Sequence, residues 1–263
     1  MSLARELEPP DPLHSQTVYR EHPAPPELAD LVDAFWTRTV DAPQHDRSYR
    51  VLPDGCIDVI VHLVGAPRIE VVGTMTRALL VPDTASDIVA VRFRPGAARA
   101  FFTVPADALT DARVPVDALG WPAAALLDVL ATLPDARARV HHLARVLLAH
   151  RRHPLDPLVA RATRALAQTR PPSIAELADT LGITRQSLAR RVRQAVGVGP
   201  KELARVLRLQ RAALALRAAP RDHAALACEL GYHDQAHFIH EMRALGGLTP
   251  GAYARTLAPT DPS

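Results

Sequence analysis

Residues 173–253 carry one pattern twice. Leu177, Ala178, Leu181, Gly182 and Ile183 precede Thr184, Leu188, Val192, Gly197 and Pro200. Leu226, Ala227, Leu230, Gly231 and Tyr232 then precede Asp234, Phe238, Met242, Gly247 and Pro250. The offset is 49 residues before the turn and 50 after it, because His233 is an extra turn residue. A repeat of this kind restricts the segment to two copies of one supersecondary unit.

Each copy predicts helix, tight turn, helix. Ser173 and Glu176 have the spacing of a capping box, which satisfies orphan amide donors in a first helical turn. Gly182 ends that helix, since a residue without Cβ enters the left-handed region cheaply. Thr184 caps the next helix, where Leu188 and Val192 share a face. In the second copy Asp222 and Asp234 are the caps and Gly231 ends the first helix. Two short helices joined by a glycine turn describe a helix-turn-helix, whose second helix enters the DNA major groove. Between the copies, residues 200–218 predict one long helix with apolar spacing at Leu203, Val206, Leu207, Ala213, Leu214 and Leu216. Pro200 suits its first turn. Such a rod spans roughly 28 Å at the helical rise, and adjacent major grooves on one duplex face lie about 34 Å apart. One chain can therefore carry two reading helices at groove spacing.

With Leu188 and Val192 turned inward, Gln186, Ala189, Arg190 and Arg193 face out. Gln186 is expected to pair with adenine and Arg190 with guanine, each worth roughly 1–3 kcal/mol of discrimination. With Phe238 and Met242 inward, Gln235, His237, Ile239 and His240 are the expected base readers, Ile239 against a thymine methyl. Arg185, Arg191, Arg193, Lys201 and Arg243 are expected on phosphates, which set register without reading sequence. The competing reading of each arginine is a solvated helix face, and the repeat as a whole is the stronger signal.

These residues resemble the C-terminal DNA-binding domain of AraC/XylS-type transcription regulators. The resemblance rests on Ala178, Leu181, Gly182, Leu188, Arg190, Gly197 and Pro200, then Ala227, Gly231, Tyr232, Asp234, Gln235, His237, Phe238, Arg243, Gly247, Thr249 and Pro250. It covers residues 173–255, about a third of the chain. It implies two helix-turn-helix units joined by a helix, double-stranded DNA and RNA polymerase as partners, and control of transcription. His240 departs from a frequent arginine, which weakens guanine readout by the second unit; Met242 departs from the usual phenylalanine and is expected to pack all the same, as a tolerant apolar filler. In that family an N-terminal domain commonly binds a small-molecule effector or mediates dimerisation, often through a cupin-like barrel, so a homodimer is an expectation by analogy. The run LPDGCIDVIVHL, then Gly73, then VRFRPGAA also resembles an uncharacterised sensor-type domain found ahead of such units.

The charge divides the chain in the same place. Residues 1–135 carry a net −8 and residues 136–255 a net +12, which suits a polyanion partner for the second half. A length of 263 residues suits two domains, 1–155 and 156–263. The expected fold class is α+β: an N-terminal antiparallel β-sheet or cupin-like barrel with flanking helices, then an all-α double helix-turn-helix domain. Strands are expected near 35–40, 57–63, 68–72, 78–81 and 88–94, separated by turn residues. A loose arm is expected at 1–15, short helices at 28–33 and 97–102, and loops at 41–47 and 105–116. Helices follow near 122–132, 135–151 and 157–169. The first residues lack the apolar core of a signal peptide, and no run of about 18 apolar residues occurs, so a cytoplasmic protein without a membrane span is expected.

Along 56–63, alternation puts Ile57, Val59, Val61 and Leu63 on one face and Cys56, Asp58, Ile60 and His62 on the other. Asp58, His62, Arg92 and Arg94 are the candidate lining of an effector pocket, where arginine suits an anionic ligand. A solvent-facing or internally paired surface is the plain alternative. Cys56, Asp58 and His62 have weak spacing for zinc, Cys56 and Cys228 suggest no disulfide framework, and no phosphate loop or nucleophile elbow is found. No enzyme, metal or cofactor is therefore expected; a thiol- or metal-dependent sensor or enzyme in the N-terminal domain is the alternative.

Overall fold

The computed structural model describes residues 17–41, 43, 48–218 and 222–257. The expected arm at 1–15 and nearly all of the 41–47 loop lie outside these residues. The N-terminal region contains β1 (Thr17–His22), β2 (Val32–Val40), β3 (Ser48–Val51), β4 (Ile57–His62), β5 (Arg68–Val72), β6 (Leu79–Pro82), β7 (Ser86–Phe93) and β8 (Arg113–Pro115). Every strand pair is antiparallel. Six strands form one sheet in the order β1-β2-β7-β4-β5-β8, and β3 and β6 form a separate ribbon. Of the two expected forms, sheet or barrel, the structure has the sheet.

Four details correct the sequence reading. β1, β3 and β8 fall where turn, loop or no element was expected. β1 and β8 are the sheet's edges, and β3 belongs only to the ribbon. None of the three presents a run of alternating apolar residues. The helix expected over 28–33 is a 3-10 turn at Pro26–Leu28, and Val32 already pairs with Phe93 in the sheet. Proline fixes the turn's φ, while burial of Leu28, Leu31 and Val32 in the sheet's core stops the helix from propagating.

One face of the sheet is apolar: Phe35, Val59, Val61, Val71, Val89, Val91 and Phe93 are all essentially buried. It packs against α1 (Ala123–Thr132) and α2 (Ala136–His150) through Leu126, Leu130, Leu143 and Leu147. The opposite face carries Trp36, Arg38, Asp58, Ile60, His62, Glu70 and Arg92 and looks into a cavity.

The chain continues as α3 (Pro157–Leu166), α4 (Ile174–Thr180), α5 (Arg185–Val196), α6 (Pro200–Ala218), α7 (His223–Glu229), α8 (Gln235–Gly246) and α9 (Pro250–Leu257). The long helix α6 serves two cores. Its first half gives Leu203 and Leu207 to a core with Val159, Leu177, Leu188 and Val192. Its second half gives Leu209, Ala213 and Leu216 to a core with Leu226, Phe238, Met242 and Tyr253. Leu52, from the N-terminal region, completes that second core.

Candidate nucleic-acid interface and the cavity behind it

Both copies are built from the expected caps. Ser173 and Glu176 close the capping box of α4, and the Thr184 hydroxyl accepts the Ser187 amide at 3.1 Å. Asp222 caps α7, and Asp234 accepts the His237 amide at 2.7 Å at the start of α8. Gly182 and Gly231 turn the chain with φ of +68° and +76°, where a Cβ is disfavoured.

Leu188 and Val192 are buried under α5, and Phe238 and Met242 under α8. On α5 this leaves Arg185, Gln186, Arg190, Arg191 and Arg193 exposed and Ala189 half-buried; Lys201 at the start of α6 is exposed. On α8 Gln235, His240 and Arg243 are exposed, while His237 and Ile239 are half-buried. Two of these side chains have internal partners. Arg191 bridges to Asp156 at 3.0 Å. His237 Nδ1 accepts the His233 amide at 3.2 Å, and the ring stands edge-on to Tyr232.

Sequence reasoning missed the device that fastens α8 to the connecting helix. Buried Glu241 accepts from Arg205 Nε at 2.8 Å and lies 3.3 Å from Arg208 Nη2, and Arg208 also covers the Tyr232 ring at 4.7 Å. Its partners stand 36 and 33 residues away, so no local pattern announces it.

The last carbonyls of a helix have no partner within it. At both second helices, groups of the N-terminal region supply those partners. The Thr74 hydroxyl donates to the Val196 carbonyl, and Thr110 Oγ1 donates to the Gly197 carbonyl at 2.8 Å. Arg50 Nη1 donates to the Gly246 carbonyl at 3.2 Å, and the Ala78 amide donates to the Leu245 carbonyl at 2.7 Å. Gln210 Nε2, buried in α6, donates to the Pro53 carbonyl at 2.6 Å. The C-terminal ends of α5 and α8 and the middle of the rod between them are thus all held by one body.

Between the polar sheet face, the β3–β6 ribbon and the C-terminal helices lies a cavity of about 530 Å3. Arg217, Leu248, Tyr253 and Leu257 close it from the helical side. Asp58, His62 and Arg92 line it. Arg94 does not: it stands beyond the end of β7, where it donates to the Ala29 carbonyl at 3.0 Å and pairs with Asp33 at 3.4 Å. Arg92 lies 3.1 Å from Glu21, 3.5 Å from Asp54 and 3.7 Å from Asp58, so its charge is already shared among carboxylates. His62 Nε2 is 2.8 Å from Glu70, whose carboxyl that hydrogen bond holds below its usual range. Cys56 is buried, and burial pushes its thiol well up, which disfavours the reactive thiolate. Among the described residues no three His, Cys, Asp or Glu side chains are grouped to hold a metal ion.

Asp58 is pushed from 3.8 to about 7 by desolvation, which outweighs the attraction of Arg92; Asp54 and Asp33 add to the rise, and the Trp36 indole opposes it. A raised carboxyl stabilises the fold below its unfolded value, and that contribution is lost as pH rises through the folded value. Stability is therefore expected to fall from pH 4 to pH 7 by an amount that Asp58→Asn removes. Urea midpoints measured across that window check it; an unchanged slope in the variant would assign the pH dependence to other groups.

Two capped helix-turn-helix copies on one connecting helix define a double helix-turn-helix protein. Residues 177–256 match the family model described as a helix-turn-helix domain, and residues 20–115 match a domain of unknown function, DUF6597. A Streptomyces lividans protein named as an AraC-like transcription regulator is 30% identical over 154 residues, 51% of this chain and 51% of its own. A similarly named protein of Streptomyces antibioticus is 30% identical over 158 residues, 53% of this chain and 52% of its own. The chain thus spans about half the length of the curated relatives it matches. Among solved structures, ToxT from Vibrio cholerae aligns with a TM-score of 0.42 and 12% identity over 93% of this chain and 99% of that one. The C-terminal region of the chain, residues 177–256, is a helix-turn-helix domain. No helix among the described residues is long and apolar enough to cross a membrane.

Proposed function

We propose that the protein is a sequence-specific DNA-binding transcription regulator, with residues 156–263 reading DNA and residues 1–155 controlling them. The observation that carries this reading is the pair of capped helices, α5 and α8, mounted on one rod with their polar faces open. Gln186, Ala189, Arg190, Gln235, Ile239 and His240 read base edges, and Arg185, Arg193, Lys201 and Arg243 hold phosphates. Arg191 and His237 join them only after leaving Asp156 and the 233–237 turn. The work is recognition, not catalysis, and it is done in the cytoplasm on double-stranded DNA. RNA polymerase receives the signal, and a homodimer doubles the DNA contacts.

Control comes from a small-molecule effector in the cavity. An occupant touches Arg50 and Tyr253 together, and Arg50 also holds the C-terminal end of α8. Occupancy therefore biases where the second reading helix stands relative to the first. A ligand shifts such an equilibrium only by its difference in affinity for the two arrangements.

Arg190→Ala is expected to relax preference at one base position, by roughly 1–3 kcal/mol of discrimination. Selection from random duplexes with the variant and the unaltered protein reads this directly. Uniform weakening on every sequence would make Arg190 a phosphate contact instead.

A further inference from the structure

The cavity is chemically asymmetric. At one end Asp54 and Asp58 line the wall, and with Glu21 they share the single guanidinium of Arg92. Only Glu21 is within hydrogen-bonding distance of it, at 3.1 Å; Asp54 and Asp58 stand off at 3.5 and 3.7 Å. The Trp36 indole reaches Asp58 Oδ2 at 3.3 Å, a long bond. The Asp58 side chain keeps 18% exposure, and it is part of the cavity wall. Beside it the Trp36 and Tyr19 rings lie 5.9 Å apart at 33° and form an aromatic flank to the same space. At the other end the arrangement is reversed, with Glu70 surrounded by His62, Arg68 and Arg113. Asp58 and His62 are four residues apart on one strand face, roughly 13 Å. Between them the floor is apolar at Ile60, and Ile88 lies across from His62.

We propose that the cavity binds an organic cation: a protonated amine on an apolar body, with its ammonium against Asp58 and Asp54 beside the Trp36 ring. This rests on reading the cavity as the effector site. Under-compensated carboxylates in a poorly solvated wall gain most from an added cation, and aromatic faces attract ammonium groups through their quadrupole. The apolar body then runs over Ile60 toward the ribbon and α9, where it meets Leu248 and Leu257. At this end an anionic head would face Asp54 and Asp58, and Arg92 is already shared among three carboxylates.

The test is calorimetric titration of the full chain at pH 7.5 with octylamine, octanoate and octanol, which share one apolar body. Octylamine, as the ammonium, is expected to bind about tenfold or more tighter than octanoate, the scale of one charge-assisted hydrogen bond. Asp58→Asn should remove most of that preference while leaving octanol affinity within about twofold. Should that variant not fold, Asp54→Asn supplies the same comparison, and the ranking of the three probes on the unaltered protein stands without any variant. Tighter binding of octanoate, or an amine preference untouched by both variants, overturns the cation assignment while the effector site survives. Binding of none of the three overturns both.

Discussion

Phe238→Ala is expected to lower stability by about 3–5 kcal/mol, the cost of removing a large buried ring and leaving its space unfilled. Phe238 is fully buried and lies 4.9 Å from the Tyr232 ring and 6.3 Å from His223. It shares its core with Leu209, Met242 and Tyr253, so α6, α8 and α9 all lose their common contact. The core around Leu177, Leu188 and Val192 contains none of these side chains. Urea unfolding should consequently show early loss of the second unit with the first still folded. On a DNA site holding two elements, affinity should drop toward that of the first element alone. A single cooperative transition shifted by less than about 1 kcal/mol would contradict the packing described, because such a loss is ordinary for a surface substitution.

Gly73→Ala is expected to have a comparable effect for a different reason. A Cβ on Gly73 would stand 1.6 Å from the Leu109 carbonyl oxygen, and backbone there cannot step aside as a side chain would. Overpacking costs about 1–3 kcal/mol and occasionally more, and a collision between two backbone segments belongs at the upper end. Leu109 ends the 3-10 turn Ala106–Leu109 just before Thr110, which holds the Gly197 carbonyl at the end of α5. Gly73 also donates to the Ala112 carbonyl at 3.0 Å, so both sides of the contact are fixed. Scanning calorimetry should show a drop of several degrees, with impaired reading by the first unit. Gly199→Ala is the control: its Cβ would meet only Arg193 Nη2, at 3.7 Å. Equal melting temperatures for the two variants would refute the close approach at Gly73.

What the sequence disclosed divides along physical lines. α6 spans residues 200–218 as its apolar spacing predicts, and the caps at Ser173, Thr184, Asp222 and Asp234 are where their side chains required them. These features depend on neighbours within four residues, so the local pattern contains them. The alternation along β4 is also local, and the burial of Ile57, Val59 and Val61 follows it. β1, β3 and β8 were hidden because pairing, not composition, makes them strands. The bonds from Thr74, Thr110 and Arg50 to the helical region, and from Gln210 back to Pro53, were hidden for the same reason, joining residues 87 to 196 positions apart. Arg92 illustrates the limit for the candidate pocket. Its place in the candidate lining was expected, but its three carboxylate partners come from β1, β4 and the loop before β4. Charge on a strand face says little until those partners are in place.

The most direct measurement is site selection from random duplex DNA with the full chain, followed by a salt titration on the best site. Two short elements about one helical turn apart should be enriched, and affinity should fall steeply with salt as the arginines release counterions from phosphate. Weak binding that ignores sequence would contradict the central claim that α5 and α8 read DNA.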